Sequence, residues 1–459
     1  MELTFLGACG TVTGSMYLLD FKNKKILIDC GIFQGEFDEE NYKTLPFDPY
    51  ELDYVILTHA HLDHVGRLPK LVKDGFQGKI LGTAATLDLA RIILMDAAKL
   101  QAEEYEVQVK RNQRRGIETP EPLYTLEDAI SAITLFAPPL KYDTEYEIFD
   151  GLKITLRDAG HILGSSFLEL SANKTKIIFS GDLGNRNKPI IRDPETIKMK
   201  DANYLVIEST YGSRNHKGIE ESVEELKNAI QNTVEHGNVL IPAFAIERAQ
   251  DLLYYIREFK ERGEIPKETK VFLDSPLAIS ATNIFMAHRE VFDDETRELL
   301  KQHKDPFSFS NLFFTRSKES SMAINNIKKG AIIIAGSGMC TGGRIKHHLK
   351  HNLWREECSV VFVGFQAKGT LGREIVDGAE EVEIYGETIA VKASVYTING
   401  FSAHADQKIL VEWVQDLNKD CKIIVTHGEE NERDALANKF LELGFKEVKK
   451  PKLYEKINL

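Results

Sequence analysis

Short apolar runs, each closed by a glycine or a polar residue, recur along this chain with helical stretches between them. Residues 3–7, 16–21 and 26–28 read as strands joined by tight turns, with Gly10 and Gly14 flanking the first loop. Tyr54-Val55-Ile56-Leu57 is another such run, partly β-branched and of the length of one buried strand. Helical character fills 86–115 and ends before Pro120 and Pro122. Apolar runs at 153–156, 166–170, 176–179 and 204–207 then predict four more strands.

Beyond residue 208 the pattern changes to a regular alternation. Helices are expected at 219–236, 247–262, 276–291 and 317–329, and strands at 238–242, 270–273, 331–335 and 360–364. Strands alternating with helices imply a mostly parallel sheet. This block reads as a domain of its own, 208–393, set between residues 1–207 and a return at 394–459. Strands at 382–385, 389–398 and 421–426 belong to the closing part of the pattern.

Composition narrows the class. The 459 residues are 42% hydrophobic and 28% charged, and no apolar run approaches the ~20 residues of a membrane span. The N-terminus has no basic region and enters a strand at once, so no leader is expected and cytoplasm is the default. Five scattered cysteines form no Cys-x-x-Cys and no even-numbered disulfide framework. The net charge of −12 alone speaks against a nucleic-acid partner, but two divalent ions would add about four positive charges locally.

Chemistry gathers at the ends of the apolar runs. Thr58-His59-Ala60-His61-Leu62-Asp63-His64 follows the run at 54–57 and packs three histidines and one carboxylate into six positions. Imidazole and carboxylate suit zinc and similar ions. Alternate residues of an extended segment point the same way, so His59 and His61 fit one ion while Asp63 and His64 turn toward a second. Asp29, His161, Asp182 and Glu208 each stand at a comparable strand end. His404 and His427 each precede a helix late in the chain. Asp29 reads either as a turn cap or as a carboxylate that orients metal ligands.

Two further segments carry anion chemistry. The loop 336–344, with Ser337 and Gly338, lies between a strand and a helix and offers backbone N–H groups, although it is not a Walker A sequence. The helix after it carries Arg344 and Lys346, and a second glycine loop, 369–373, ends in Arg373. These five are candidate RNA or phosphate contacts, with a plain tight turn and a solvated face as the other readings. The basic run 110–115 is likewise read as a solvated helix face or as a phosphate-backbone contact.

Assembled, these positions resemble the metallo-β-lactamase superfamily and, within it, the β-CASP branch of nucleases. Asp29, the cluster His59–His64, His161 and Asp182 match the superfamily motifs, and Glu208, His404 and His427 match those of the branch. The Ser-Gly-Met and Gly-Thr-Leu-Gly-Arg segments are also similar. The resemblance extends over nearly the whole chain. It implies an αββα sandwich with an inserted α/β domain of mostly parallel sheet.

It further implies a zinc-dependent ribonuclease with two ions per chain acting on single-stranded RNA, held in a cleft between the two domains. His59, His61 and His161 would bind one zinc, and Asp63, His64 and His427 the other, with Asp182 bridging. A water or hydroxide between the ions would attack phosphorus. His404, held by Glu208, would protonate the leaving oxygen. The DNA-processing members lack a histidine where this chain has His427, so the likeness points to RNA. Endonuclease and 5′→3′ exonuclease modes both stay open, as does oligomeric state, a homo-oligomer included. A small-ester, thioester or β-lactam hydrolase, a DNA nuclease of the same branch, and a metal-free RNA-docking module are the competing classes.

Overall fold

Parallel strands buried on both faces read as continuous apolar runs, and two groups of such strands organise the first half of the fold. The computed structural model describes every residue, Met1–Leu459. The chain forms two compact units. The first comprises Met1–Arg186, Asp193–Asn215 and His404–Leu459, and the second Asn187–Arg192 and His216–Ala403. No helix is long and apolar enough to cross a membrane.

Two sheets build the first unit. One has six strands, in the order Lys456–Asn458, Glu2–Phe5, Tyr17–Phe21, Lys24–Ile28, Leu52–Ile56, Lys79–Leu81. The other has seven, from Val448–Lys449 through Lys422–Val425, Tyr204–Ile207, Thr175–Phe179, Ser166–Ala172 and Leu152–Asp158 to Glu145–Phe149. Leu152, Ile154 and Leu156 alternate inward and join Leu3, Phe5, Ile28 and Phe179 in one core. On the other face of the second sheet, Ile178, Leu205 and Ile423 pack with Leu410 and Trp413 of helix Gln407–Trp413 and with Leu436 and Phe440 of helix Glu430–Glu442.

Pairing direction decides where polar side chains can converge. Lys24–Ile28, Leu52–Ile56 and Lys79–Leu81 are mutually parallel, and so are Thr175–Phe179, Tyr204–Ile207 and Lys422–Val425. Their C-terminal ends therefore lie side by side, which is where open α/β sheets carry their sites. Asp29, Thr58, Asp182, Glu208 and His427 all lie just beyond such ends.

The second unit holds a six-stranded sheet in which every neighbouring pair is parallel. Its order is Leu312–Phe314, Lys270–Leu273, Ala331–Ala335, Asn238–Pro242, Ser359–Phe362, Ser394–Thr397. Ser394–Thr397 thus extends this sheet, whereas sequence placed residues from 394 on in the return. The expected strand 389–398 is two strands, the first of which, Glu387–Ala390, forms a hairpin with Glu381–Ile384. The expected helix 317–329 is only Lys318–Ile324. Ser209 stays with the first unit because its N–H donates to the His427 carbonyl and its hydroxyl to the Thr426 carbonyl. Residues 187–192 join the second unit, where Asp293 N–H donates to the Ile190 carbonyl at 2.8 Å.

A buried carboxylate braces this sheet. Asp274 accepts hydrogen bonds from Thr315 Oγ1 and Ser321 Oγ at 2.6 Å and from Arg344 and His348 at 2.7 Å. Burial pushes its pKa up, but these four donors outweigh it and hold the carboxyl down at about 2. Removing one partner of a buried ion pair costs about 3–5 kcal/mol, so Asp274→Ala should destabilise the second unit by that amount in denaturant titrations. The sign with pH follows from the depressed value. The contribution is complete above the ordinary carboxylate pKa of ~3.9 and should be lost as pH falls toward 2, whereas Asp274→Ala should lack this acid-labile component.

Candidate metal centre

Local geometry explains why four neighbouring side chains serve two places. His61 is still extended, with φ −61° and ψ 150°, and the helical turn Leu62–Val65 starts directly after it. Asp63 and His64 therefore wind away from the side that His59 and His61 face. Asp29, in left-handed conformation at φ 59°, supports the cluster from beneath. Its carboxylate accepts from Thr58 N–H and Thr58 Oγ1, both at 2.8 Å, and from His64 Nδ1 at 2.7 Å. Having donated its proton, the Thr58 hydroxyl accepts from His59 Nδ1 at 3.1 Å. Both imidazoles are thus turned with Nε2 toward the centre.

Two donor groups share one carboxylate. In the first, His59 Nε2 and His161 Nε2 each lie 3.1 Å from His61 Nδ1. Both also face Asp182 Oδ2, at 3.4 and 3.7 Å. In the second, His64 Nε2 is 3.3 Å from His427 Nε2 and 3.4 Å from Asp182 Oδ1, and Asp63 Oδ2 is 3.4 Å from His427 Nε2. Each group brings its four ligand atoms within 4.8 Å of one another. Ligand bonds of ~2.0–2.1 Å in a tetrahedron set ligand atoms roughly 3.3–3.4 Å apart, so both groups have the spacing of a zinc-type cage.

Charge supports the same fit. Burial holds His59 and His161 well below the ordinary histidine pKa, and the neighbouring rings His64 and His404, respectively, add to it. Burial likewise lowers His61 to about 4. Burial lowers His64 too, but Asp182 and Asp29 outweigh it and raise that ring. Asp182 is opposed by burial yet stays well below the usual carboxylate range, chiefly through His427 and His64. Both its oxygens are buried and neither has a hydrogen-bond partner. The neutral imidazoles of His59, His61 and His161 beside an ionised carboxylate without donors suit a divalent cation.

A third group adjoins these. Glu208 Oε1 accepts Leu183 N–H at 2.6 Å, and its oxygens lie 3.3 and 3.5 Å from His404 Nδ1. His404 is 3.9 Å from Asp182 Oδ2 and pairs by its backbone with Gly184. Only glycine serves at 184, because an added Cβ would lie 1.7 Å from the Gly160 carbonyl, next to His161. Burial lowers the His404 pKa, but Glu208, then Asp182 and Asp63, raise it above the ordinary value.

All seven ligand-type residues from the sequence, with Asp29, Glu208 and His404, therefore meet in the first unit. Ser337, Gly338, Arg344, Lys346 and Arg373 belong to the second. Arg344 has both terminal nitrogens engaged, by Asp274, the Thr315 carbonyl and the Arg316 carbonyl. Lys346 Nζ lies 5.1 Å over the Tyr385 ring, and Arg373 Nε donates to Asp377 at 2.8 Å. The Ser337 hydroxyl is 3.2 Å from that of Thr341. Thr58 and Thr210 were not singled out in the sequence. Thr210 Oγ1 lies 3.2 Å from His427 Nδ1, the counterpart of Thr58 at His59. Thr58 directly precedes His59 and Thr210 stands two residues after Glu208, and that proximity is their only sequence signal.

Three family models match the chain. The metallo-beta-lactamase superfamily covers residues 9–230, the Beta-Casp domain 249–375, and a Zn-dependent metallo-hydrolase RNA specificity domain 388–451. Ribonuclease TTHA0252 of Thermus thermophilus is 38% identical over 98% of this chain and 97% of its own length. Transcription termination factor FttA of Methanosarcina mazei is 32% identical over 94% of this chain and 67% of its own. A solved Enterococcus faecalis protein of unknown function shares the fold, with TM-score 0.58 and 13% identity, over 100% of this chain and 99% of that one. The chain belongs to the metallo-beta-lactamase superfamily of metal-dependent hydrolases, and within it to the Beta-Casp proteins.

Asp182 and Thr58 give separable outcomes. Asp182→Asn removes the charge common to both groups and should lower the metal that the centre retains, read by elemental analysis after dialysis. Thr58→Val keeps every ligand but frees His59 Nδ1 and removes one donor from Asp29. Metal affinity should fall about 10–100-fold, the usual effect of losing a partner behind the ligands.

Proposed function

We propose that this chain is a zinc-dependent ribonuclease that hydrolyses RNA phosphodiester bonds with two zinc ions per chain. His59, His61 and His161 hold one ion, Asp63, His64 and His427 the other, and Asp182 is shared. The observation that carries this reading is the division of Asp182, whose Oδ2 faces His59 and His161 while its Oδ1 faces His64 and His427. When bound, such a metal pair activates a water and neutralises charge growing on a phosphate.

The chain's own residues then orient and protonate. Asp29 and Thr58 fix the tautomers of His64 and His59, and Thr210 does the same for His427. Glu208 holds His404 by Nδ1, which leaves Nε2 for the leaving oxygen. An alkoxide leaving group needs that proton, and the Glu208 charge stabilises the imidazolium that supplies it. RNA as the substrate is supported by the RNA specificity model, which spans both His404 and His427, and by the name of the Thermus relative.

His404→Ala should retain about two zinc equivalents yet lose roughly 10²–10⁴-fold in RNA cleavage, the usual worth of general acid catalysis. With p-nitrophenolate as leaving group the loss should be far smaller. Loss of one zinc equivalent, or equal losses on both substrates, would assign His404 to metal binding instead. Matched single-stranded RNA and DNA in competition should show RNA cut first, and 5′- and 3′-labelled RNA read as ladders distinguishes endonucleolytic from 5′→3′ exonucleolytic cutting. Preference for DNA, or for a small ester over both polymers, would overturn the ribonuclease reading.

A further inference from the structure

In the second unit three loops leave the C-terminal ends of adjacent parallel strands, Ala331–Ala335, Asn238–Pro242 and Ser359–Phe362. The middle one carries Phe244 and the last one Phe365. Both are large apolar side chains left open, 47% and 46% exposed, at the end of the sheet where α/β folds take ligands. Loops here could have kept them covered, so their exposure calls for a cause.

Phe244 rests on a prepared bed. A Cβ added at Gly338 would lie 2.9, 3.0 and 3.2 Å from Cδ2, Cε2 and Cγ of the Phe244 ring. Three consecutive ring carbons at nearly equal distance mean that the glycine sits over a ring face, not at its edge. A Cβ at Gly364 would meet the same ring at 3.9 Å. The buried Gln366 ties these two glycine segments together, since its Nε2 donates to the Gly338 and Gly364 carbonyls at 3.1 Å each. One face of the ring is thus seated on a cross-tied backbone while about half of the side chain stays open. Rigid aromatic rings held this way bind flat π-systems without a large ordering cost.

We propose that Phe244, with Phe365 beside it on the next strand end, is a stacking platform for unpaired nucleobases of the RNA. This inference rests on the ribonuclease reading above. Every base has a π-face, so such a platform grips single strands with little sequence preference. It also suits a chain with a net charge of −12, because stacking needs no cation.

The test uses the full-length zinc-loaded protein and binding of oligoribonucleotides, compared with chains of equal length in which the bases are replaced by abasic sites. Phe244→Ala should weaken binding of base-bearing RNA about 5- to 150-fold, the worth of one stacked base, and Phe365→Ala should act in the same direction. Phe244→Leu keeps an apolar cover on Gly338 but has no ring, and it should behave like Phe244→Ala. Phe244→Trp should bind at least as tightly as the wild type. The salt dependence should stay unchanged, since no phosphate contact is removed. Abasic RNA should bind wild type and variants alike, and hydrolysis of methyl p-nitrophenyl phosphate and zinc content should not move. Wild-type behaviour of Phe244→Leu, or an equal loss on abasic RNA, would show packing rather than stacking and sink the proposal. A wild-type protein that neither binds nor cleaves RNA would overturn the ribonuclease reading as well, which separates the two failures.

Discussion

An ionised, buried carboxylate with no hydrogen-bond donor is the constraint on which the catalytic unit depends. Asp182 is 1% exposed and has imidazoles on every side, yet neither oxygen has a hydrogen-bond partner. Burying such a charge unpaired costs several kcal/mol, so the fold must deliver compensation from many directions at once. Parallel alignment of two strand groups does this, because it lines up their C-terminal ends. Short loops beyond those ends then bring Asp63, Glu208 and His427 to Asp182 from distant parts of the sequence, and the loop after the antiparallel strand Leu152–Asp158 adds His161. Gly184, which lets two of the loops touch, is as much a part of the site as the ligands are.

The orientation of the ligands rests on a second, quieter arrangement. Asp29, Thr58 and Thr210 touch no substrate in this reading, but they decide which nitrogen of each ring faces inward. A histidine at the right place in the wrong tautomer presents a proton where a lone pair is needed. The same logic applies to His404, where Glu208 occupies Nδ1. The two carboxylates near His404 therefore differ in role by hydrogen bonding alone. Glu208 is satisfied by the Leu183 N–H and the ring, whereas Asp182 is left for a cation.

Much of this was legible in the sequence, and the reason is physical. A buried parallel strand leaves an apolar run, and a polar residue that ends such a run is conspicuous. Asp29, Asp182 and Glu208 stand out that way, His161 follows an alternating antiparallel strand, and the donor groups of the structure contain all seven ligand-type residues read from sequence. Thr58 was not found, because a threonine beside a histidine looks like any loop residue until its hydroxyl is seen between Asp29 and His59. The course of 187–192 into the second unit was not legible either. It depends on contacts such as Asp293 N–H to the Ile190 carbonyl, which join residues a hundred positions apart. Arg344 has partners that no sequence signal announces. A basic residue after a glycine loop suggested a phosphate contact, but its guanidinium is turned inward onto Asp274 and two backbone carbonyls.

That inward turn bears on how an acidic chain takes hold of RNA. Phosphate contacts are the ordinary source of affinity, and each one released adds about 0.7 to the salt slope for a single strand. In the second unit the expected cations are largely occupied. Arg344 is locked to Asp274, Arg373 donates to Asp377, and Lys346 lies over Tyr385. With a net charge of −12 around them, long-range attraction of a polyanion is weak. Affinity must then come from places where charge is local or unnecessary. The proposed metal pair in the Asp182 site would concentrate positive charge at a single phosphodiester, and open aromatic rings such as Phe244 would act on the bases instead of the backbone. The composition that alone argues against a nucleic-acid partner is thus compatible with a partner gripped at one phosphodiester and by its bases.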